Sequence, residues 1–100
     1  MEEQNQCCPI ERTLQVIGGK WTLLILRDLF TGTKRFGELL RSLHGISPKT
    51  LSERLRQLEA QDIVERVIYP EVPPRVEYSL TEKGKSLRAI LDQMRTWGSL

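Results

Sequence analysis

One hundred residues, 39% of them apolar, suffice for one compact domain and leave no room for a second. No apolar run approaches the roughly 20 residues that a bilayer span requires. The first residues (Met1, Glu2, Glu3, Gln4) are acidic and polar where a secretory leader is basic and then apolar, so the sequence reads as cytoplasmic. A net charge of +2 falls short of the strongly basic balance that announces nucleic-acid binding unaided, and the distribution of charge has to carry any such reading.

Residues 1–7 are polar and lack periodicity, which predicts a flexible arm ahead of one domain over residues 8–98. A first helix opens at Pro9, whose fixed φ and missing N–H suit the first helical position. It carries Ile10, Leu14 and Ile17 on one face, and Gly18 with Gly19 ends it. The next helix runs from Lys20 to Phe30 and is apolar nearly all round (Trp21, Leu23, Leu24, Ile25, Leu26, Leu29, Phe30), as befits a helix packed on several sides. Residues 33–35 form a short basic link. A third helix then sets Phe36, Leu39, Leu40 and Leu43 at helical spacing, and His44 with Gly45 makes the turn.

A fourth helix has Ser47 as N-cap and Pro48 at its first position, followed by a stripe of Leu51, Leu55 and Leu58. Steps of 100° place Lys49, Ser52, Glu53, Arg56 and Gln57 opposite or flanking that stripe, with Thr50 beside them. Two β-branched, alternating runs follow, residues 63–69 and 75–80, and form a hairpin. Their connection, residues 70–74, contains Pro70, Pro73 and Pro74 and projects as a stiff loop. Thr81 caps a last helix bearing Leu87, Ile90, Leu91, Met94 and Trp97. The fold class is therefore mainly α with a small β-hairpin: four helices, a hairpin and a closing helix.

Two short helices joined by a tight turn, the second polar and basic on its outer face and followed by a rigid-tipped hairpin, make a winged helix-turn-helix. Between Lys34 and Arg56 lie six basic residues (Lys34, Arg35, Arg41, Lys49, Arg54, Arg56) against two acidic ones (Glu38, Glu53), so the rest of the chain is on balance acidic. One basic face suits phosphates; an ordinary solvated face is the alternative. A B-DNA major groove about 12 Å wide admits one α-helix, which lets Lys49, Thr50, Ser52, Glu53 and Arg56 reach base edges and phosphates. Free N–H groups at the helix start, with Ser47 beside them, suit a phosphate. Lys34 and Arg35 extend the same face. Arg75, the one cation beside the wing prolines, is assigned to backbone or minor-groove contact; pairing with Glu71 or Glu77 is the competing use of its charge.

Three stretches carry a family resemblance: CPIERTLQVIGGKWTLLILRDL over residues 8–29, KRFGELLRSLHGISPKTLSERLRQLE over 34–59 and YPEVPPRVEYSLTEKGKSL over 69–87. In that order they resemble the HxlR family of bacterial winged-helix transcription regulators across nearly the whole chain. The resemblance implies a homodimer that binds pseudo-palindromic duplex DNA through the helix beginning near Ser47 and through the wing, with the first and last helices packing across the dimer. Half-sites on one face of the duplex would then lie about 34 Å apart, or a multiple of it. Ile10, Leu14, Ile17, Leu91, Met94 and Trp97 are the candidate interface residues, closure of the monomer core being their other possible use.

Cys7 and Cys8 are adjacent and cannot staple distant parts of the fold. Cys8 precedes the Pro9 that opens a helix, where the positive end of the dipole favours a thiolate, and it matches the Cys-Pro pair typical of the resembled family. Several members of that family sense oxidants or electrophiles through this thiol, which makes Cys8 the candidate sensor and an oxidant or small molecule the candidate inducer. Cys7 lies outside the family pattern, and its role as a resolving or cross-dimer thiol stays open. The lone histidine, His44, sits in a turn, and no nucleophile elbow, phosphate loop or metal-ligand spacing appears. No enzyme activity, metal or cofactor is expected. The rival reading is a winged-helix protein-interaction module without sequence-specific DNA binding.

Overall fold

The computed structural model describes residues 8–100; the arm expected over residues 1–7, with Cys7, lies outside the described residues. In chain order the elements are α1 (Pro9–Ile17), α2 (Lys20–Leu29), β1 (Lys34–Arg35), α3 (Phe36–Ser42), α4 (Pro48–Ala60), β2 (Val64–Tyr69), β3 (Arg75–Leu80), α5 (Glu82–Lys85) and α6 (Arg88–Gly98). Among the described residues no helix is long and apolar enough to cross a membrane.

The helix starts follow the residues that mark them. Pro9 opens α1 and Pro48 opens α4, where Ser47 Oγ accepts the Thr50 N–H at 3.1 Å. Between α1 and α2 the backbone breaks at Gly19, held at φ +91°, a conformation L side chains rarely adopt. The end of α4 is less conventional. Ile63 N–H donates to Leu58 C=O at 2.9 Å and Asp62 N–H to Glu59 C=O at 3.0 Å, the paired bonds of a Schellman turn. Asp62 stands at φ +61° where glycine is usual. The Thr81 hydroxyl donates to the Asp62 carbonyl at 2.6 Å and so clasps this turn to the start of α5.

Two expectations are corrected. Residues 34–35 of the expected basic link are a strand: Lys34 pairs with Tyr78 and Arg35 with Glu77, so the hairpin is the larger part of a three-stranded antiparallel sheet in the order β1-β3-β2. Two residues are too few to show alternation, and their partner lies more than forty positions away. The helix expected after Thr81 is two. Gly84 sits so close to the Ile63 carbonyl that a Cβ would collide with it, which fixes α5 against the α4–β2 turn. The Ser86 hydroxyl turns back to the Lys83 carbonyl and Leu87 N–H to Gly84 C=O, and α6 departs from that tightened turn.

The core lies between α2, α3, α4 and the inner face of the sheet. Ile25, Leu26, Leu39, Leu51, Leu55, Leu58 and Ile63 are all sealed from solvent. Each fully buried residue of this kind contributes roughly 1.5–3 kcal/mol of transfer free energy. The expected α4 stripe is wholly buried, which fixes the rotation of the helix and turns its other side outward. Ile17 and Leu91 belong to this same core.

Candidate nucleic-acid interface

Because α4 sinks Leu51, Leu55 and Leu58 into the core, Lys49, Glu53, Arg56 and Gln57 stand exposed on its far side, with Ser52 and Thr50 half-buried at the edges. Among the described residues neither Lys49 nor Glu53 has an ion-pair or hydrogen-bond partner. Arg56 lies along the helix, its Nη2 donating to Ser52 Oγ at 3.1 Å one turn back, and among the described residues it has no ion-pair partner. On meeting a ligand these groups exchange hydration for the new contact, Arg56 giving up at most one exposed hydrogen bond besides. The Ser47 hydroxyl is differently placed: it accepts from Thr50 N–H and donates to Thr50 Oγ1 at 3.0 Å. It caps α4 through Thr50 and stays exposed at the helix start.

The other basic residues divide. Arg35 is exposed at the head of α3, where its N–H donates to Glu38 Oε1 at 2.7 Å, and among the described residues its guanidinium has no ion-pair partner. Lys34 is half-buried and folds back to Thr31 Oγ1 at 2.8 Å. Its strand position puts it in one cross-strand row with Tyr78 and Arg66. Arg66 was not singled out from the sequence, because a lone arginine in an alternating run gives no sign of which element it will face. In the fold it approaches Glu59 near the end of α4 at 3.5 Å. Tyr78 is buried between them: burial pushes its phenol pKa up, Arg66 opposes that, Glu59 adds to it, and Arg56 opposes it.

Arg75 does not join this group as a free cation. Its Nη2 lies 3.0 Å from Glu71 Oε2 and its Nε 3.5 Å from Glu77 Oε2, while the guanidinium stacks at 4.2 Å on the Tyr69 ring. The pairing with Glu71 and Glu77 that the sequence allows is thus present in the chain without DNA.

Elsewhere on the surface α1 exposes Ile10 (71%) and Leu14, and α6 exposes Met94 and Trp97 (76%). Ala89, Ile90, Met94, Trp97 and Leu100 line an apolar groove along α6. Ile17 and Leu91, expected in the same interface, are buried within the monomer, because they lie at the ends of their helices' apolar faces nearest the core. Cys8 is a half-buried free thiol, and its carbonyl accepts Arg12 N–H to begin α1.

Residues 16–100 match the model of the HxlR-like helix-turn-helix family. An HTH-type transcriptional regulator of Synechocystis is 48% identical over 97 residues, covering 97% of this chain and 72% of its own length. The HTH-type regulator YtcD of Bacillus subtilis is 46% identical over 99 residues, covering 99% and 79%. Among solved structures, the redox regulator HypR in its reduced form superposes with a TM-score of 0.89 at 48% identity, over 92% of this chain and 91% of that one. Diamide-treated YodB of Bacillus subtilis gives 0.79 at 42%, over 95% of each.

Proposed function

The chain belongs to the HxlR-like helix-turn-helix family, and from that membership we propose that it is a sequence-specific, DNA-binding transcription regulator acting as a homodimer, with residues 8–98 as the working domain. The observation that carries this reading is the division of α4. One side is fixed in the core by Leu51, Leu55 and Leu58, and the other holds Lys49, Glu53 and Arg56 in solvent, neither cation having an ion-pair partner among the described residues. A rigid helix with an unspent polar face is what a major groove accepts: Lys49, Thr50, Ser52, Glu53 and Arg56 read base edges and phosphates, and Arg35, Lys34 and Arg66 border the same side.

The second copy packs on the apolar faces of α1 and α6, through Ile10, Leu14, Met94 and Trp97. Exposed side chains of that size on terminal helices favour burial against a partner in a domain this small. Oxidants or electrophiles act through Cys8. The support for that is its free thiol at the start of α1 and the likeness to HypR and YodB, the first of which is a redox regulator by name. The protein works in the cytoplasm as a regulator, and no catalytic step is assigned to it.

The test is fluorescence anisotropy of the reduced chain on duplexes tiling the region upstream of its own gene, with random duplex as competitor and across a salt series. Tight, salt-sensitive binding to one tile is expected; uniformly weak binding to all of them overturns the reading. Repeating the titration with diamide should weaken or strengthen binding for the wild type and leave Cys8→Ser unchanged. An identical diamide response in Cys8→Ser removes Cys8 from the mechanism.

A further inference from the structure

The wing differs chemically from the helix it accompanies. Residues 68–74 contain no lysine or arginine. The single cation at its base, Arg75, lies between the carboxylates of Glu71 and Glu77, with its side chain 30% exposed and one face covered by Tyr69. The ion-paired cluster is therefore net negative. For Arg75 to serve a phosphate it would have to share its one charge with both carboxylates, which would then stand close to the polyanion. Beside the half-exposed Glu71, what the wing offers solvent is apolar: Val72 is fully exposed and followed by the exposed Pro73 and Pro74, and Ile68 stands half-exposed on the strand below.

The Arg75 cluster also spans the loop from side to side. Tyr69 and Arg75 are the last cross-strand pair of the hairpin, and Glu71 is inside the loop, its N–H donating to the Tyr69 carbonyl at 2.8 Å. A planar guanidinium can hold a carboxylate on its edge and an aromatic ring on its face at once, which an ammonium cannot do with the same geometry.

We propose that Arg75 is a positioning residue that braces the wing, and that the wing meets DNA through the neutral tip formed by Val72 and Pro73, by contact with the groove and not by charge. The proposal rests on the DNA-binding reading above. Apolar and proline side chains pressed into a minor groove act through shape and partial unstacking of base steps. A contact of that kind leaves the count of neutralised phosphates untouched.

The experiment uses the full chain and a duplex enriched by the wild type from a random-sequence library, with binding measured by anisotropy across a salt series. Arg75→Gln and Arg75→Lys should both weaken binding several-fold with the slope of log K against log salt unchanged, and Val72→Ser should do the same. Lys49→Gln is the comparator, expected to lower the slope by about 0.9, the value of one phosphate contact. If Arg75→Gln lowers the slope by that amount and Arg75→Lys restores it, Arg75 is a phosphate contact and the proposal is wrong. If Val72→Ser binds as the wild type does, the tip does not meet DNA. Hydrogen exchange of the Glu71 amide in the free protein tests the brace alone: it should quicken in both Arg75 variants, and an unchanged rate overturns the bracing role. Failure of the wild type to enrich any duplex would overturn the functional reading and the tip contact together, and the exchange measurement would still decide the brace.

Discussion

The outer face of α4 and the wing both present arginine beside polar neighbours, yet the fold treats the two arginines in opposite ways. Arg56 has a serine hydroxyl for company and remains available to any anion. Arg75 has two carboxylates and a tyrosine ring, and its charge is used within the protein. Residue type and polar neighbours are alike enough to be confused in a sequence. What separates a binding cation from a bracing one is the set of partners that the sheet register and the helix rotation deliver.

The largest effect should come from the support that both regions share. Leu55→Ala removes a sealed side chain beneath α4 and should cost about 2–5 kcal/mol, read as a lower urea midpoint. In a domain of this size that is a large part of total stability, so DNA affinity should fall in proportion to the unfolded fraction. A variant that stays folded yet loses binding would instead mean that α4 has rotated. Next come the free cations: Arg56→Gln should cost about 1–3 kcal/mol of binding if Arg56 contacts a base, with relaxed preference at one position. Equal losses on all duplexes together with a lower salt slope would make it a phosphate contact.

The four main helices, the hairpin, the buried stripe of α4 and its Ser47 cap were legible because each rests on local signals: periodicity, proline at the first helical position, a capping hydroxyl. The parts that were not legible are contacts across long sequence separations. Lys34 and Arg35 become a strand only because β3 lies beside them. The break between α5 and α6 follows from the nearness of Gly84 to Ile63, and Arg66 reaches α4 by its register opposite Tyr78. For Arg75 the sequence supplied both candidate partners, Glu71 and Glu77, but not the geometry that lets one guanidinium engage both. Ile17 and Leu91 carry the same periodic signal as Ile10 and Trp97, and only the packing of the ends of α1 and α6 divides core from exposed face.

Smaller effects sharpen the contrast. Ser47→Ala removes the oxygen that accepts Thr50 N–H and should lower stability by about 1 kcal/mol, with a matching fall in Tm. A serine hydroxyl carries no charge and releases no counterion, so the salt slope of DNA binding should not change. A loss of affinity at temperatures where the variant is fully folded would show that the hydroxyl also contacts DNA.

The smallest effect is a titration. Tyr78 lies under the basic edge of α4, and burial raises its phenol pKa above the ordinary 10.0, with Arg66 and Arg56 pulling the other way and Glu59 reinforcing the rise. In the unfolded chain the phenol ionises near its ordinary value, while in the folded chain it is still protonated there. Its contribution is therefore intact below about pH 10 and is lost as pH rises through the folded pKa. Chemical denaturation from about pH 8 to about pH 11 should show a steeper alkaline loss for the wild type than for Tyr78→Phe, which has no proton to lose. Arg66→Gln removes the strongest opposing charge and should steepen that loss further, whereas Arg75→Gln should leave the difference between wild type and Tyr78→Phe in place. If Arg75→Gln shifts it as much as Arg66→Gln does, the wing cluster and the α4 edge share one electrostatic field, and the distinction between a bracing arginine and a free one no longer holds.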